Sequence, residues 1–337
     1  MLLVQADGPY PLGIGLGPRF IAAARFTKAE EPMAIVRIPG SARYKAYIDD
    51  SIACEGKRIQ YQGEWFVGDS GNLVPAPPDT HIMSSATSIF TEALLAIKKA
   101  AADTLGDSTL TIGGISYLDF FNSSSRQAVM EAAKNVEPTW RQPYQAMNPF
   151  QASRMAYKLD SCDGFGFDPR TCHMDEEDGY LVLLIEYEPC HLQFHLLDVL
   201  TEGVGVIKSA RHRDLGADQH SDPRDMHFEP TQTALRKFML DNEIGHEQAW
   251  AQYLGAVVIS GQASPESFDR FLRPLVRNTM EQEGREALVK DSIDPAYVPA
   301  VGAAYRAMVW EKQPEMLDPM SWETAPPLYG HEGHDEL

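Results

Sequence analysis

The chain is short of positive charge, of cysteine and of long apolar runs. Against 48 Asp and Glu it sets only 29 Lys and Arg, a formal net charge of −19. A surface that acidic repels phosphodiester backbones and anionic headgroups, so no nucleic-acid partner is expected. No stretch approaches the ~20 apolar residues that cross a bilayer, which predicts no membrane span. The first residues also lack a basic segment followed by an apolar core, so a soluble, cytoplasmic protein is expected. The last four residues, His334-Asp335-Glu336-Leu337, do spell an endoplasmic-reticulum retention signal. That address is read only inside the secretory pathway, and without an entry signal it is taken as accidental.

Four cysteines are present, Cys54, Cys162, Cys172 and Cys190, with no C-x-x-C among them. They form no short disulfide framework, which predicts reduced thiols. Cys172-His173 and Cys190-His191 lack zinc-ligand spacing, so no metal site is expected.

What remains is ample for a folded protein. At 337 residues and 44% hydrophobic composition, the chain exceeds the usual single-domain size and predicts two lobes with a cleft. The segment Thr111 to Val136 reads as an apolar strand, a turn at Asn122 and the serines, then a helix. Ser124 and Gln127 form a capping-box pattern, and Ala128, Val129, Ala132, Ala133 and Val136 recur at helical spacing. Ser88 to Thr104 predicts an amphipathic helix burying Phe90, Leu94, Leu95 and Ile97. Leu181 to Ile185 reads as a buried strand, and Leu192, Phe194 and Leu196 as a second, half-exposed one. Helices are also expected over Thr231 to Leu240 and His246 to Leu254. Asp160 to Gly179, rich in glycine and acid, reads as a solvated loop.

Phe120-Phe121-Asn122 with Arg126-Gln127-Ala128 resembles a segment of the ATPase domain of the seventy-kilodalton heat-shock chaperones. Further pieces follow in the family's order. Leu12 to Phe26 is similar to its first phosphate hairpin, and Trp65 to Asn72 to its Gly-Asp-Ala-Ala-Lys segment. Asn148, Ala152, Ala156, Tyr157, Leu159 and Asp160 match its Asn-Glu-Pro helix. Glu186 to His191 stand where it carries Asp-Leu-Gly-Gly-Gly-Thr. Gly203 to Gly216 and Val257 to Pro265 match its later strands and turns, and Gly302-Ala303-Ala304 its closing helix.

The resemblance implies the α/β, two-lobed actin-like ATPase fold: duplicated ribonuclease-H-like units, a central interlobe cleft and a truncated upper second lobe. Lobe I would span 1–178, with its core at 1–30 and 108–178 and an upper insertion at 31–107. Lobe II would span 179–337, with its core at 179–219 and 255–312, a reduced upper part at 220–254 and a tail at 313–337.

The same alignment implies lost chemistry. The positions that manage phosphate, metal and water hold Gly15, Asn72, Pro149 and Glu186 to His191. Pro18 and Pro189 each remove a backbone donor, and Glu186 and Glu188 place negative charge where a polyphosphate would lie. No cofactor is therefore expected, with ATP and Mg binding lost. The cleft residues would be Gly17, Pro18, Glu186, Tyr187, Glu188, Gly261 and Gln262. Arg19 and His191, which replace phosphate-turn threonines, are the expected catalytic donors.

The implied partner is a small, apolar molecule, with oligomeric state left open. Degenerate members of the family are typical of filamentous fungi, and some lie in specialised-metabolite pathways. A cofactor-free cyclase of intramolecular Diels–Alder type would need only shape and one or two hydrogen-bond donors. The alternatives are a non-catalytic, regulatory pseudo-chaperone and a divergent ATP-binding ATPase. They part on whether the cleft holds a nucleotide or a lipophilic molecule.

Overall fold

A computed structural model describes residues 10–58, 65–67, 73–75, 80–140, 145–168, 170, 172, 180–200, 203–219, 228–240, 254–282, 284 and 288–313. Asn72, residues 246–253, the tail from 314 and its final tetrapeptide lie outside these.

The chain opens with strands β1 (Leu12–Leu16), β2 (Phe20–Phe26) and β3 (Pro32–Pro39), then helix α1 (Ala42–Arg58) and a short ribbon, β4 (Trp65–Val67) and β5 (Leu73–Pro75). There follow α2 (Thr80–Leu105), β6 (Ile112–Ser116), α3 (Ser123–Val136), β7 (Ala146–Met147), α4 (Pro149–Ala156) and α5 (Cys162–Phe165). The second half runs β8 (Tyr180–Tyr187), β9 (Leu192–Val199), β10 (Val204–His212), α6 (Phe228–Leu240), β11 (Leu254–Ser260), α7 (Pro265–Ser267), α8 (Arg273–Gln282), β12 (Val289–Lys290) and α9 (Val298–Lys312).

Two five-stranded sheets result, ordered β3-β2-β1-β6-β7 and β10-β9-β8-β11-β12. In each, three strands meander antiparallel and two more join parallel to the first of them. One pattern of pairing thus occurs twice, in a mixed α/β architecture.

The expected strand, turn and helix at 111–136 form β6 and α3, and the five residues placed on the helix's apolar face are buried. Its cap is Asn122, whose Oδ1 accepts from the Ser125 N–H at 2.7 Å. Ser124, expected as the cap, sits inside the helix, because the hydrogen-bonded turn starts earlier than the capping-box pattern suggested. At α4, Asn148 caps Gln151 N–H at 2.8 Å, and Pro149 occupies the first turn, where its missing N–H costs nothing.

Several expectations are corrected. Helix α2 begins at Thr80, eight residues before Ser88, and Leu95 is 52% exposed while Phe90, Leu94 and Ile97 are buried. Strand β9 is buried on both faces, Gln193 and His195 included, rather than half-exposed. Its polar side chains face a second layer of protein instead of water. Leu254 opens β11 rather than closing a helix. Cys162 and Cys172 are joined by a disulfide across a separation of ten residues, so these two thiols are not reduced. The segment between them is only partly solvated: Phe165 is buried and stacks on Phe167. Cys190 is a free thiol. Among the described residues no helix is long and apolar enough to cross a membrane.

Helix α9 ties the two sheets together. Val298, Ala300, Val301 and Ala304 share one core with Val182, Leu184, Ala256 and Val258 of the second sheet and Ala22, Ala24 and Phe26 of the first. Its backbone approaches the first sheet so closely that a Cβ at Gly13 would lie 2.0 Å from Ala304 N, and one at Gly114 2.3 Å from Ala303 O. Gly302 meets α4 in the same way, since a Cβ there would lie 1.9 Å from Ala152 O. Glycine on one side and alanine on the other let main chain pack on main chain.

Candidate functional site

The two repeated hairpins, β1–β2 and β8–β9, and the turn after β11 converge on a cleft between the sheets. It is lined by Gly15, Leu16 and Gly17 from β1, Glu186 and Glu188 from β8 and its turn, and Ser260, Gly261 and Gln262 from the turn after β11. Ser116, Tyr117, Leu118 and four prolines or alanines close it, leaving about 370 Å³ of unfilled space, part of it continuous with solvent. Only about 20 Å³ of that space is wide enough to admit a water molecule.

Gln262 is the piece that crosses the cleft. Its Oε1 accepts from the backbone N–H of Arg19 at 3.0 Å and of Phe20 at 2.9 Å, and its Nε2 donates to Phe20 O at 2.7 Å. The first hairpin turn thus gives its inward N–H donors to a side chain from the opposite sheet. Gly17 is required for this, because a Cβ there would sit 1.8 Å from Gln262 Nε2. Tyr44, buried on α1, holds the same turn by donating to Gly17 O at 2.9 Å. At the other end, Gly261 adopts φ +124°, a region glycine enters freely, and packs against the Tyr187 main chain.

Glu188 completes the contact. Its Oε2 accepts the Gln262 N–H at 3.1 Å. Burial, and after it the charge of Glu186, raise its carboxyl well above the ordinary carboxylate range. Its main chain is also pinned, with N–H donating to His191 O at 2.9 Å and C=O accepting from Ala217 N at 3.0 Å.

Beside the cleft, under Glu186, lies a polar cluster absent from the sequence expectation. His195 Nε2 is 3.0 Å from Glu186 Oε2 and 3.9 Å from Asp119 Oδ2, and His195 Nδ1 is 2.7 Å from Ser209 Oγ. Gln193 Nε2 donates to Asp119 Oδ2 at 3.2 Å, and Arg211 approaches the same oxygen at 3.3 Å while donating to Gln193 Oε1 at 2.6 Å. Burial, followed by the neighbouring Glu186, pushes the Asp119 carboxyl up to about 6. Asp119, Glu186 and His195 are the described residues whose donor atoms lie close enough to hold a metal ion, all within 4.8 Å of one another. Asp119 Oδ2 already accepts from Gln193 and Arg211. The sequence signal for this cluster was present. Asp119 stands inside the Leu-Asp-Phe-Phe segment, and Gln193 and His195 are the polar residues of an otherwise apolar strand.

The structure brings Gly17, Glu186, Glu188, Gly261 and Gln262 together around the cleft. Pro18 is buried in the first turn. Tyr187 points the other way, into the core of the second sheet against Phe268 and Phe271. Arg19 pairs with Asp49 of α1 at 2.9 Å, which raises the pKa of its guanidinium, and its charge reaches Cys190 of the second hairpin. His191 is buried with Nδ1 3.3 Å from Cys190 Sγ, and burial lowers its pKa to about 4. Neither Arg19 nor His191 belongs to the cleft lining.

Fold and site together define a mixed α/β protein with two five-stranded mixed sheets of like pairing and a cleft between them that Gln262 crosses. No protein-family model and no curated protein matches the chain.

Proposed function

We propose that the chain is a nucleotide-independent relative of the actin-like ATPases whose interlobe cleft takes a small, largely apolar molecule and closes a ring in it, as an intramolecular Diels–Alder cyclase does. The observation that carries this reading is Glu188: a carboxyl whose burial favours its neutral form, in the wall of a cleft that also contains Leu16, Pro149, Pro295 and Pro299. A neutral carboxylic acid in such a setting donates a hydrogen bond that a carboxylate cannot. Directed at the carbonyl of a dienophile, that bond stabilises the charge that builds on oxygen as the ring closes, while the walls hold the chain folded. No proton is consumed and no cofactor is called for.

The Gln262 plug supports the nucleotide-independent half of the reading. The donors that a phosphate would use in the first hairpin already hold an amide oxygen. Opposite it the second hairpin presents Glu186, Glu188 and Pro189, two carboxyls and a residue without an N–H.

The test has two arms. Calorimetry with Mg-ATP is expected to show no binding; a micromolar dissociation constant would refute the proposal. Solvent extraction of protein purified from its own producing cells, followed by mass spectrometry, is expected to yield a lipophilic compound. Its conversion should slow by roughly 10²-fold in Glu188→Gln, in the range seen on loss of one oxyanion donor. Unchanged conversion in that variant would remove Glu188 from the chemistry.

A further inference from the structure

We infer that Ser209, His195 and Glu186 form a second reactive array, opening on the outer edge of the second sheet, able to accept the acyl group of an uncharged, apolar ester. The three side chains come from adjacent strands and share one face. Ser209 of β10 stands directly opposite His195 of β9. Glu186 of β8 lies diagonally across from His195, two residues beyond its ladder partner Leu184. The register therefore sets a hydroxyl, an imidazole and a carboxylate in a row, with Oγ to Nδ1 at 2.7 Å and Nε2 to Oε2 at 3.0 Å. A nucleophile within reach of a base that is itself oriented by a third group is the arrangement that activates serine.

The surroundings settle which ring nitrogen is basic. Nε2 faces carboxylate oxygens, Glu186 at 3.0 Å and Asp119 at 3.9 Å, and an ionised carboxylate only accepts hydrogen bonds. In the neutral ring the proton therefore sits on Nε2, and the Nδ1 lone pair is directed at the Ser209 hydroxyl. The carboxylates on the far nitrogen fix the tautomer and stabilise the imidazolium formed when the serine proton is taken. The ring is used in the reverse sense to the familiar triad, and either nitrogen can serve as the base.

Access fits the role. His195 is 1% exposed and held edge-on by Phe150 with ring centres 4.6 Å apart, whereas Ser209 is exposed. The base is dry and fixed, and the residue that carries the nucleophile meets solvent. Among the described residues β10 is the outer strand of its sheet, and N–H groups on its outer side are the donors a developing oxyanion would use. Val206 and Ile207, 45% and 40% exposed just upstream on the same strand, offer an apolar rest for an acyl chain. With a net charge of −19, the protein favours a neutral ester over an anionic one.

In the reaction the Ser209 Oγ bonds to the ester carbonyl carbon as its proton moves to His195 Nδ1. The tetrahedral adduct collapses, the C–O bond to the leaving alkoxide breaks, and His195 returns the proton to that oxygen, releasing the alcohol. Water repeats the sequence on the acyl-serine and releases the carboxylic acid.

The experiment uses an alkyl fluorophosphonate, in which the P–F bond breaks, a P–O bond to serine forms and fluoride leaves with the serine proton. Intact-mass and peptide analysis of the full chain should show one adduct, on Ser209, absent in Ser209→Ala, whose melting temperature verifies an unchanged fold. His195→Gln should label about 10² to 10⁴-fold more slowly, the usual contribution of a general base. Should that variant fail to fold, Glu186→Gln replaces it and should also label more slowly than the wild type. No adduct, an adduct on another residue, or labelling at the wild-type rate in whichever of the two variants folds would each overturn the inference. Because the probe reacts at the sheet edge, the outcome is independent of whether Glu188 and the cleft perform a cyclisation.

Discussion

Replacing Gln262 with alanine removes an acceptor and a donor from the middle of the cleft. The N–H groups of Arg19 and Phe20 lose the amide oxygen at 3.0 and 2.9 Å, and the Phe20 carbonyl loses the amide N–H at 2.7 Å. Each such bond contributes a net ~1 kcal/mol, and leaving a group unpaired costs more where water is excluded. The three bonds are only partly buried, so water entering the vacated space restores some of the loss. The expected destabilisation is about 2 to 3 kcal/mol, or a fall of roughly 3 to 4 °C in melting temperature for a chain of this size. Gln262→Glu sharpens the test. It keeps the length of the side chain but turns an oxygen toward the Phe20 carbonyl and adds charge beside Glu188. That variant should be worse than alanine near neutral pH and recover partly near pH 5, as the carboxyl takes up a proton and becomes a donor again. Thermal and urea unfolding measure both. If Gln262→Ala melts within about 1 °C of the wild type, the side chain does not hold the two hairpins together, and the plugged-cleft account is wrong.

Gly302→Ala should cost about 3 kcal/mol in urea unfolding, since its Cβ would meet the Ala152 carbonyl of α4 rather than a movable side chain; an unchanged midpoint would refute the tight α4–α9 contact. His191 has its pKa lowered from 6.5 to about 4 by burial, so the unfolded chain binds the extra proton first and stability falls as pH drops through that interval. His191→Gln should therefore show a flatter acid limb in melting temperature against pH, and an equally steep one would contradict its burial in neutral form. Asp119 is the opposite case. Its carboxyl is raised from 3.8 to about 6, so its favourable contribution is complete below the lower value and is lost as pH rises through the upper one. Asp119→Asn should gain stability relative to the wild type across that window, and a constant difference would show that the carboxyl does not titrate there.

The strands and hairpins were legible wherever a continuous apolar run met a glycine or proline turn, as at Leu12 to Phe26 and Leu181 to Ile185. Strand β9 was misread because alternation reveals two different faces without saying which one is wet. Gln193 and His195 lie on a face covered by Phe150, Asp119 and Arg211, which satisfy their polar atoms inside the protein. The Cys162–Cys172 bond was invisible for a related reason: a separation of ten residues admits pairing but does not require it, and only the path of the intervening chain decides. At the site, the turn residues Gly17, Gly261 and Gln262 could be placed from the order of the motifs. That Gln262 fills the donors of a turn 242 residues away could not, because no local pattern encodes a contact between distant turns. His195 and Asp119 escaped notice because each looks, in its own segment, like one polar residue among apolar ones.

Helix α9 sets the order in which the molecule can be finished. The first sheet is made from the opening of the chain, yet the glycine-lined face of β1 and β6 is closed by residues 298–312, near the end of the described chain. During synthesis at ~5–20 residues per second, that face waits for the closing helix tens of seconds after its own strands have emerged. The early half is consequently a client without a finished core, and it carries the unpaired apolar surface that invites misassembly. A truncation before Val298 would remove a layer from the first half of the molecule as well as the last element of the second.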